Sequence, residues 1–241
     1  MNLNPTSAQE QFELAKKYDN GEDVPKDPEK AYYWYTKSAE QDYAEAQFRL
    51  GFVYFNGLGV PIDQNKAAYW YTKAAEQGHA EAQCQIADSY VMGEGMPKDM
   101  EKANFWYTKS AEQGNVWAQI CIGDSYLKGD GVPKDKEKAC YWFTKSAEQG
   151  NVYAQYNIGS AYFLGDGVPK DYKKAQYWLT KAIEQKIEPG MDVACYFLGK
   201  TYDRGGEGVQ RDREKAIYWY TKSAELGNQS AQRELATMSK G

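Results

Sequence analysis

The 241-residue chain has one histidine, four cysteines, no apolar run of membrane-spanning length and no block of basic residues. Each scarcity excludes something. His79 has no cysteine or carboxylate at ligand spacing, so it builds neither a metal site nor a nucleophile–base triad, and it reads as a surface residue at a helix start. Cys84, Cys121, Cys140 and Cys195 are not regularly spaced or paired, so they read as reduced thiols filling small packing sites. The net charge of -5, with Lys and Glu interspersed, argues against nucleic acid, whose phosphates require clustered positive charge. Without a long apolar stretch, no membrane insertion is expected. Met1 to Gln11 is polar, so a cytoplasmic location is expected if Met1 is the native start; a trimmed signal peptide would be invisible.

What the chain does have is repetition. Trp34, Trp70, Trp106, Trp142 and Trp178 are spaced by 36 residues, and Trp219 follows after 41. Around each runs K-A-x-x-W-[YFL]-T-K-[SA]-[AI]-E. A period of this length marks a stacked-repeat protein. Such an array has one continuous core and offers surfaces rather than buried catalytic pockets. Aromatics make up 15% of the chain, far too much buried-type surface for disorder.

Two helices are legible in each repeat. Ala46, Leu50, Gly51 and Tyr54 form one helical stripe, repeated as Ala82/Ile86/Ala87/Tyr90, Ala118/Ile122/Gly123/Tyr126, Ala154/Ile158/Gly159/Tyr162 and Ala194/Leu198/Gly199/Tyr202. This is helix A, and its Ala and Gly positions let a neighbouring helix approach. A G-x-G-[VM]-P loop follows, as in Gly57-Leu58-Gly59-Val60-Pro61, whose glycines permit left-handed angles and whose proline stops the helix. Asp27, Asp63, Asp99, Asp135, Asp171 and Asp212 then stand where an N-cap belongs. Helix B carries Ala31, Trp34, Tyr35, Ser38 and Ala39, and ends at Gly78, Gly114, Gly150 and Gly227, with Asp42 and Lys186 in the same place. Trp70, Trp106 and Trp142 are expected to be mostly buried.

The whole pattern, A-x-x-x-[LI]-[GA]-x-x-Y-x-x-G-x-G-V-P-x-D-x-x-K-A-x-x-W-x-x-K-[SA]-A-E-x-G, resembles the Sel1-like repeat family, a relative of the tetratricopeptide repeat. The resemblance covers about Glu10 to Leu235. It implies an all-α, right-handed α-solenoid superhelix of helix pairs, with the A helices on the concave side. The expected repeats are 7-42, 43-78, 79-114, 115-150, 151-190 and 191-227, followed by a capping helix over 228-240, a single array over 1-241. About thirteen helices and no sheet follow. The charged first helix (Glu10, Glu13, Lys16, Lys17) and the polar last one (Arg233, Glu234, Thr237) read as caps of a nearly full array. One irregularity, Lys186 to Val193, lengthens the turn between repeats five and six by four residues, and Gly205 to Gly208 adds one more.

Ser125-Tyr126-Leu127-Lys128 fits the S-x-x-K of penicillin-recognising enzymes, but no S-D-N or K-T-G accompanies it. Cysteine-rich relatives labelled β-lactamase-like pair cysteines across the turn between repeats, where this chain has Ala39 and Ala46. Asn228-Gln229-Ser230 matches a glycosylation sequon, which counts for little without a secretion signal.

By analogy with the tetratricopeptide groove, the concave positions carry Phe48, Phe52 and Phe55; Asp88 and Met92; Trp117, Asp124 and Lys128; Tyr153, Tyr156 and Phe163; and Tyr196, Lys200 and Arg204. Some of these are expected to pack between adjacent A helices. Trp117 is the one tryptophan outside the helix B position, standing where other repeats have Glu45, Glu81 and Tyr153. An alternation of Glu, Trp and Tyr is no packing requirement, so the position is expected to face solvent or a partner, in an aromatic track with Tyr153, Tyr156 and Tyr196. The resemblance implies a non-catalytic adaptor or scaffold of bacterial origin that binds another protein or peptide as a monomer, without cofactor, metal or catalytic residues. An immunity protein that neutralises a toxin is the alternative, and a penicillin-recognising enzyme the more distant one.

Overall fold

The computed structural model describes residues 5–186, 190–206 and 208–239. Among the described residues there are thirteen α-helices and no strand. The chain divides into two compact units, Met1–Ala118 and Gln119–Gly241. In the first, α1 (Ala8–Asn20), α3 (Ala44–Asn56) and α5 (Ala80–Met92) are A helices, and α2 (Pro28–Ala39), α4 (Gln64–Glu76) and α6 (Met100–Glu112) are B helices. In the second, α9 (Val152–Leu164) and α11 (Met191–Arg204) are A helices, α8 (Lys136–Glu148), α10 (Tyr172–Glu184) and α12 (Arg213–Glu225) are B helices, and α13 (Gln229–Met238) comes last. α7 (Val116–Lys128), an A helix, begins in the first unit and continues in the second.

The start of each B helix follows from one Asp and one Lys. The six caps, Asp27, Asp63, Asp99, Asp135, Asp171 and Asp212, accept from the backbone N–H three residues on at 2.9–3.0 Å. The lysine at that third position pairs back with the same carboxylate at 3.0–4.0 Å. Its ammonium also lies 5.1–5.6 Å from the ring centre of the tyrosine near the end of the preceding A helix. A helix N-terminus favours the carboxylate and an aromatic face favours the ammonium, so each pair locks the loop between A and B. The first loop glycine is left-handed, with φ between 69° and 85° at Gly57, Gly93, Gly129 and Gly165. The second is needed for a close approach: a Cβ on Gly95 would stand 2.2 Å from the Gln64 carbonyl, on the B helix one repeat back. B helices end as expected, and even Asp42 (φ 58°) and Lys186 (φ 53°) adopt the left-handed turn.

The core corrects the tryptophan reading. Trp142 is buried at 9% exposure, but Trp70 and Trp106 are only half-buried. The residue after each Trp is the true core knob: Tyr35, Tyr71, Tyr107, Phe143, Leu179 and Tyr220 are at most 4% exposed. These side chains point at helix A. A Cβ on Gly51 would meet the Tyr71 ring at 2.6 Å, and one on Gly199 the Tyr220 ring at 2.7 Å. The small stripe residues are therefore sockets for the knob of their own repeat.

A glutamine pair inside a repeat is tied to the B helix of the repeat before it. Gln77 donates to Gln47, and Gln113 to Gln83, both at 2.8 Å; in the second unit Gln185 donates to Gln155 at 2.8 Å. Gln47 and Gln83 in turn donate to the carbonyls of Ala39 and Ala75 on the B helix before them, at 3.2 and 3.1 Å. Buried amides of this kind are tolerated because their partners are supplied in every repeat. In repeat six Cys195 and Leu226 replace the glutamine pair. Of the long turn before it, residues 187–189 lie outside the described residues. Gly190 (φ 105°) carries the chain over Tyr156, whose ring would stand 2.3 Å from a Cβ there. In the later insertion Gly206 and Val209 form an isolated bridge, and Glu207 lies outside the described residues.

Candidate partner-binding surface

The predicted surface residues separate into those left open and those used by the fold. In the first unit Phe52 and Phe55 are exposed, as are Met92 at 71% and Trp117 at 57%. Phe48 is not: its ring stacks on His79 at 4.6 Å and leans on Tyr71 at 5.9 Å, filling the space between A helices. Asp88 is half-buried, and its carboxylate accepts from the Tyr107 hydroxyl and the Trp117 side chain. Burial pushes its pKa up, and the two donors pull the other way.

In the second unit Asp124 accepts from the Tyr153 hydroxyl at 3.0 and 3.2 Å and pairs with Lys128 at 3.7 Å. Tyr153 and Tyr156 meet edge to face at 5.2 Å, and both are half-buried. Burial, then the field of Asp124, raises the Tyr153 phenol. Phe163 requires correction as a surface residue. It is 2% exposed, enclosed by Tyr172 at 5.4 Å and Phe197 at 5.6 Å, with the Arg204 guanidinium 5.4 Å from its ring centre. Arg204 is exposed. Tyr196 packs on Phe197 at 5.3 Å, and Lys200 pairs with Glu234 of the last helix at 2.9 Å. Tyr196 and Lys200 therefore help seat that helix.

Six recurrent helix-aligned units now stand in the structure with the same cap, loop, socket and knob. The pattern of the Sel1 repeat matches residues 11–43, 44–79, 80–115, 118–151, 152–186 and 192–228. The chain belongs to the Sel1 repeat family. Proteins of this family are generally non-catalytic scaffolds for protein interaction. The chain is similar to a protective antigen of uropathogenic Escherichia coli that displays the same fold, with 34% identity and a TM-score of 0.76 over 96% of this chain and 56% of that one. It is also similar to a Sel1 repeat protein from Oxalobacter formigenes, with 34% identity and a TM-score of 0.71 over 93% of this chain and 91% of that one. The chain thus spans little more than half of the first relative. No curated protein matches it.

Within these Sel1 repeats the other candidates resolve into structural roles. His79 is not a surface residue: its side chain is 11% exposed and caps α5. Nδ1 accepts from the Ala82 N–H at 3.3 Å, and Nε2 lies 2.8 Å from Glu45. Asn151 caps α9 in the same position. Asn228 caps the last helix and donates to Asp192 at 3.1 Å. Ser125 is 6% exposed on the inner side of α7, whereas Lys128 is exposed and held by Asp124, so the S-x-x-K residues do not form a nucleophile and its base. Cys84, Cys140 and Cys195 are buried thiols and Cys121 is half-buried. Burial pushes Cys140 and Cys195 up to about 11, which keeps them protonated and unreactive. Among the described residues no group of side chains could hold a metal ion, and no helix is long and apolar enough to cross a membrane.

One exposed feature escaped the sequence reading. The residue before each ladder Trp is aromatic and 52–55% exposed: Tyr33, Tyr69, Phe105, Tyr141, Tyr177 and Tyr218. Each leans edge-on against its Trp with centres 4.9–5.1 Å apart. The signal was available, since the position is Tyr or Phe in all six repeats. Its uniformity marks it as part of the repeat's architecture, shielding the Trp.

Proposed function

We propose that the chain is a non-catalytic protein- or peptide-binding adaptor that recognises its partner on the exposed positions of the A helices. One observation carries this reading. Positions that face the scaffold repeat the same residue, whereas the A-helix position ten beyond the stripe Ala is exposed in repeats two to six and holds in turn Asn56, Met92, Lys128, Leu164 and Arg204. A repeat whose fixed residues build the fold and whose open residues vary is suited to reading a partner, with exposed aromatics as anchors. Adaptor and immunity roles are both cases of such binding. The reading includes a bacterial source, in line with the relatives above, and a monomeric chain. It also includes a cytoplasmic site, which protonated buried thiols fit.

The test is selection of peptides from a random display library on the immobilised full chain, followed by binding to Phe52→Ala/Trp117→Ala. Both residues are exposed, so helicity and melting should stay near wild type while selected peptides lose roughly tenfold or more in affinity. Peptides that bind this variant unchanged would move the interface elsewhere, with Tyr69→Ala/Phe105→Ala testing the helix B face. A library that yields no binder at all would sink the reading.

A further inference from the structure

We propose that Asp88 and Trp117 form a receptor for a guanidinium, the arginine side chain of a bound partner segment. This rests on the protein-binding reading above and names the chemistry of one contact. Asp88 is a half-buried carboxylate on α5 that two neutral groups orient, the Tyr107 hydroxyl and the Trp117 side chain. Neither neutralises it, and no lysine, arginine or histidine is among the groups that act on it. Its neighbours in the sequence are differently placed: Asp99 has Lys102 at 3.3 Å, and Asp124 has Lys128 at 3.7 Å. The uncompensated charge is felt at Tyr71, whose buried hydroxyl has no hydrogen-bond partner and is raised by burial and then by Asp88. A carboxylate offers about four acceptor positions, so two donors leave about two for a ligand.

The surroundings select among cations. The hydrogen bond to Asp88 holds Trp117 in place, while 57% of the residue stays in solvent. An indole face is the strongest aromatic partner for a cation, and a flat guanidinium both stacks on a ring and donates in-plane to a carboxylate. An ammonium can satisfy only one of those geometries well. A divalent metal ion wants several oxygen ligands, and here one carboxylate stands alone. Met92, one helical turn beyond Asp88 and 71% exposed, offers soft apolar surface to an arginine stem. With a net charge of -5 the chain also attracts a cationic segment from a distance.

The test uses acetyl-arginine amide as probe, with acetyl-citrulline amide as its uncharged isostere and acetyl-lysine amide as the competing cation. The readout on the full chain is the indole N–H resonance of Trp117, assigned by its loss in Trp117→Phe. The expected result is a saturable shift of that resonance with the arginine probe, a weaker one with lysine and none with citrulline. The other six indole signals should stay still. Asp88→Asn, nearly isosteric, should weaken the arginine response by about tenfold or more. Equal shifts with arginine and citrulline, no saturable shift, or an Asp88→Asn variant that responds like wild type would each overturn the proposal. The arginine–citrulline comparison uses unmutated protein, so it stands if the variant fails to fold. Library peptides that bind wild type and Asp88→Asn alike would sink the guanidinium site and leave the wider binding function standing.

Discussion

Asp88 in the first unit and Asp124 in the second occupy the same place in successive repeats, yet their surroundings differ. Beneath Asp88 lies Tyr107, whose hydroxyl reaches the carboxylate. The corresponding knob in the next repeat is Phe143, which has no hydroxyl, and there Tyr153 and Lys128 serve Asp124 instead. The first carboxylate is oriented but uncompensated; the second is paired within the chain. The same two positions explain other features. Tyr71 belongs to a repeat with Phe52 in place of the aspartate, and its hydroxyl finds no acceptor; Ser160 holds the same place in repeat five, whose knob is Leu179, and its buried hydroxyl finds no partner. A repeat protein can therefore change the chemistry of one surface point by changing a core residue beneath it.

The largest expected effect tests the shared part of the comparison. Tyr107→Ala and Phe143→Ala each empty a knob site and should cost roughly 3–5 kcal/mol, read by urea denaturation. Trp106→Ala, at a half-buried ring, should cost clearly less than Tyr107→Ala. Equal losses would show that the Trp, not the residue after it, is the core element.

Tyr107→Phe removes the one hydroxyl by which the repeats differ. A hydrogen bond to a charged group is worth about 1.5–3 kcal/mol, so the variant should lose that order of stability at neutral pH. Phe143→Tyr, with Asp124 already served, should change stability by less. A Tyr107→Phe protein as stable as wild type would mean that the bond to Asp88 contributes nothing net.

The carboxylates should also separate by pH. Burial raises the folded-state pKa of Asp88 above 3.8, so its protonated form favours folding. The resulting stability is fully present below that value and is lost as pH rises through the folded pKa. Asp88→Asn should therefore be at least as stable as wild type at neutral pH, with the advantage shrinking as pH falls toward 3.8. Asp124→Asn should gain nothing, because Lys128 loses its partner. The exposed N-caps have the opposite sign. Backbone hydrogen bonds foremost lower Asp27, Asp63, Asp99, Asp135 and Asp212, so their stabilisation holds above 3.8 and fades as pH falls through their lowered values. Melting curves across acid pH for wild type and the two variants check both signs. A variant Asp88→Asn that melts well below wild type at neutral pH would contradict the first.

The smallest effect is chemical. Alkylation of unfolded, unreduced protein should modify all four cysteines, with Cys140 and Cys195 unreactive until unfolding because burial holds them protonated. Mass spectrometry that finds a protected pair after unfolding would contradict this, as would rapid modification of Cys195 in the native protein.

Much of the fold was legible because its determinants are local. An Asp before a helical stripe, a glycine after one and a period of 36 residues act through neighbouring backbone groups, and caps and turns fell where the pattern placed them. The glutamine pair was not legible, because Gln47 and Gln77 look like ordinary polar residues until their 2.8 Å bond is seen. The surface was only partly legible. Phe52, Met92 and Trp117 are open as expected, but Phe48 and Phe163 share their apolar character and are enclosed. Side-chain type does not say whether the next repeat brings a ring to cover it.

By itself, then, the amino-acid order determined the family, the number and ends of the helices, and the face of each that packs, since these depend on spacing and on bonds within a few residues. Only the tertiary structure decided which aromatic of the Tyr-Trp-Tyr run enters the socket. It also decided which of two equivalent aspartates keeps an unpaired charge. Both depend on distances between residues about 20–30 apart in the chain, such as Tyr107 to Asp88 and Tyr153 to Asp124, which become neighbours only when helices stack.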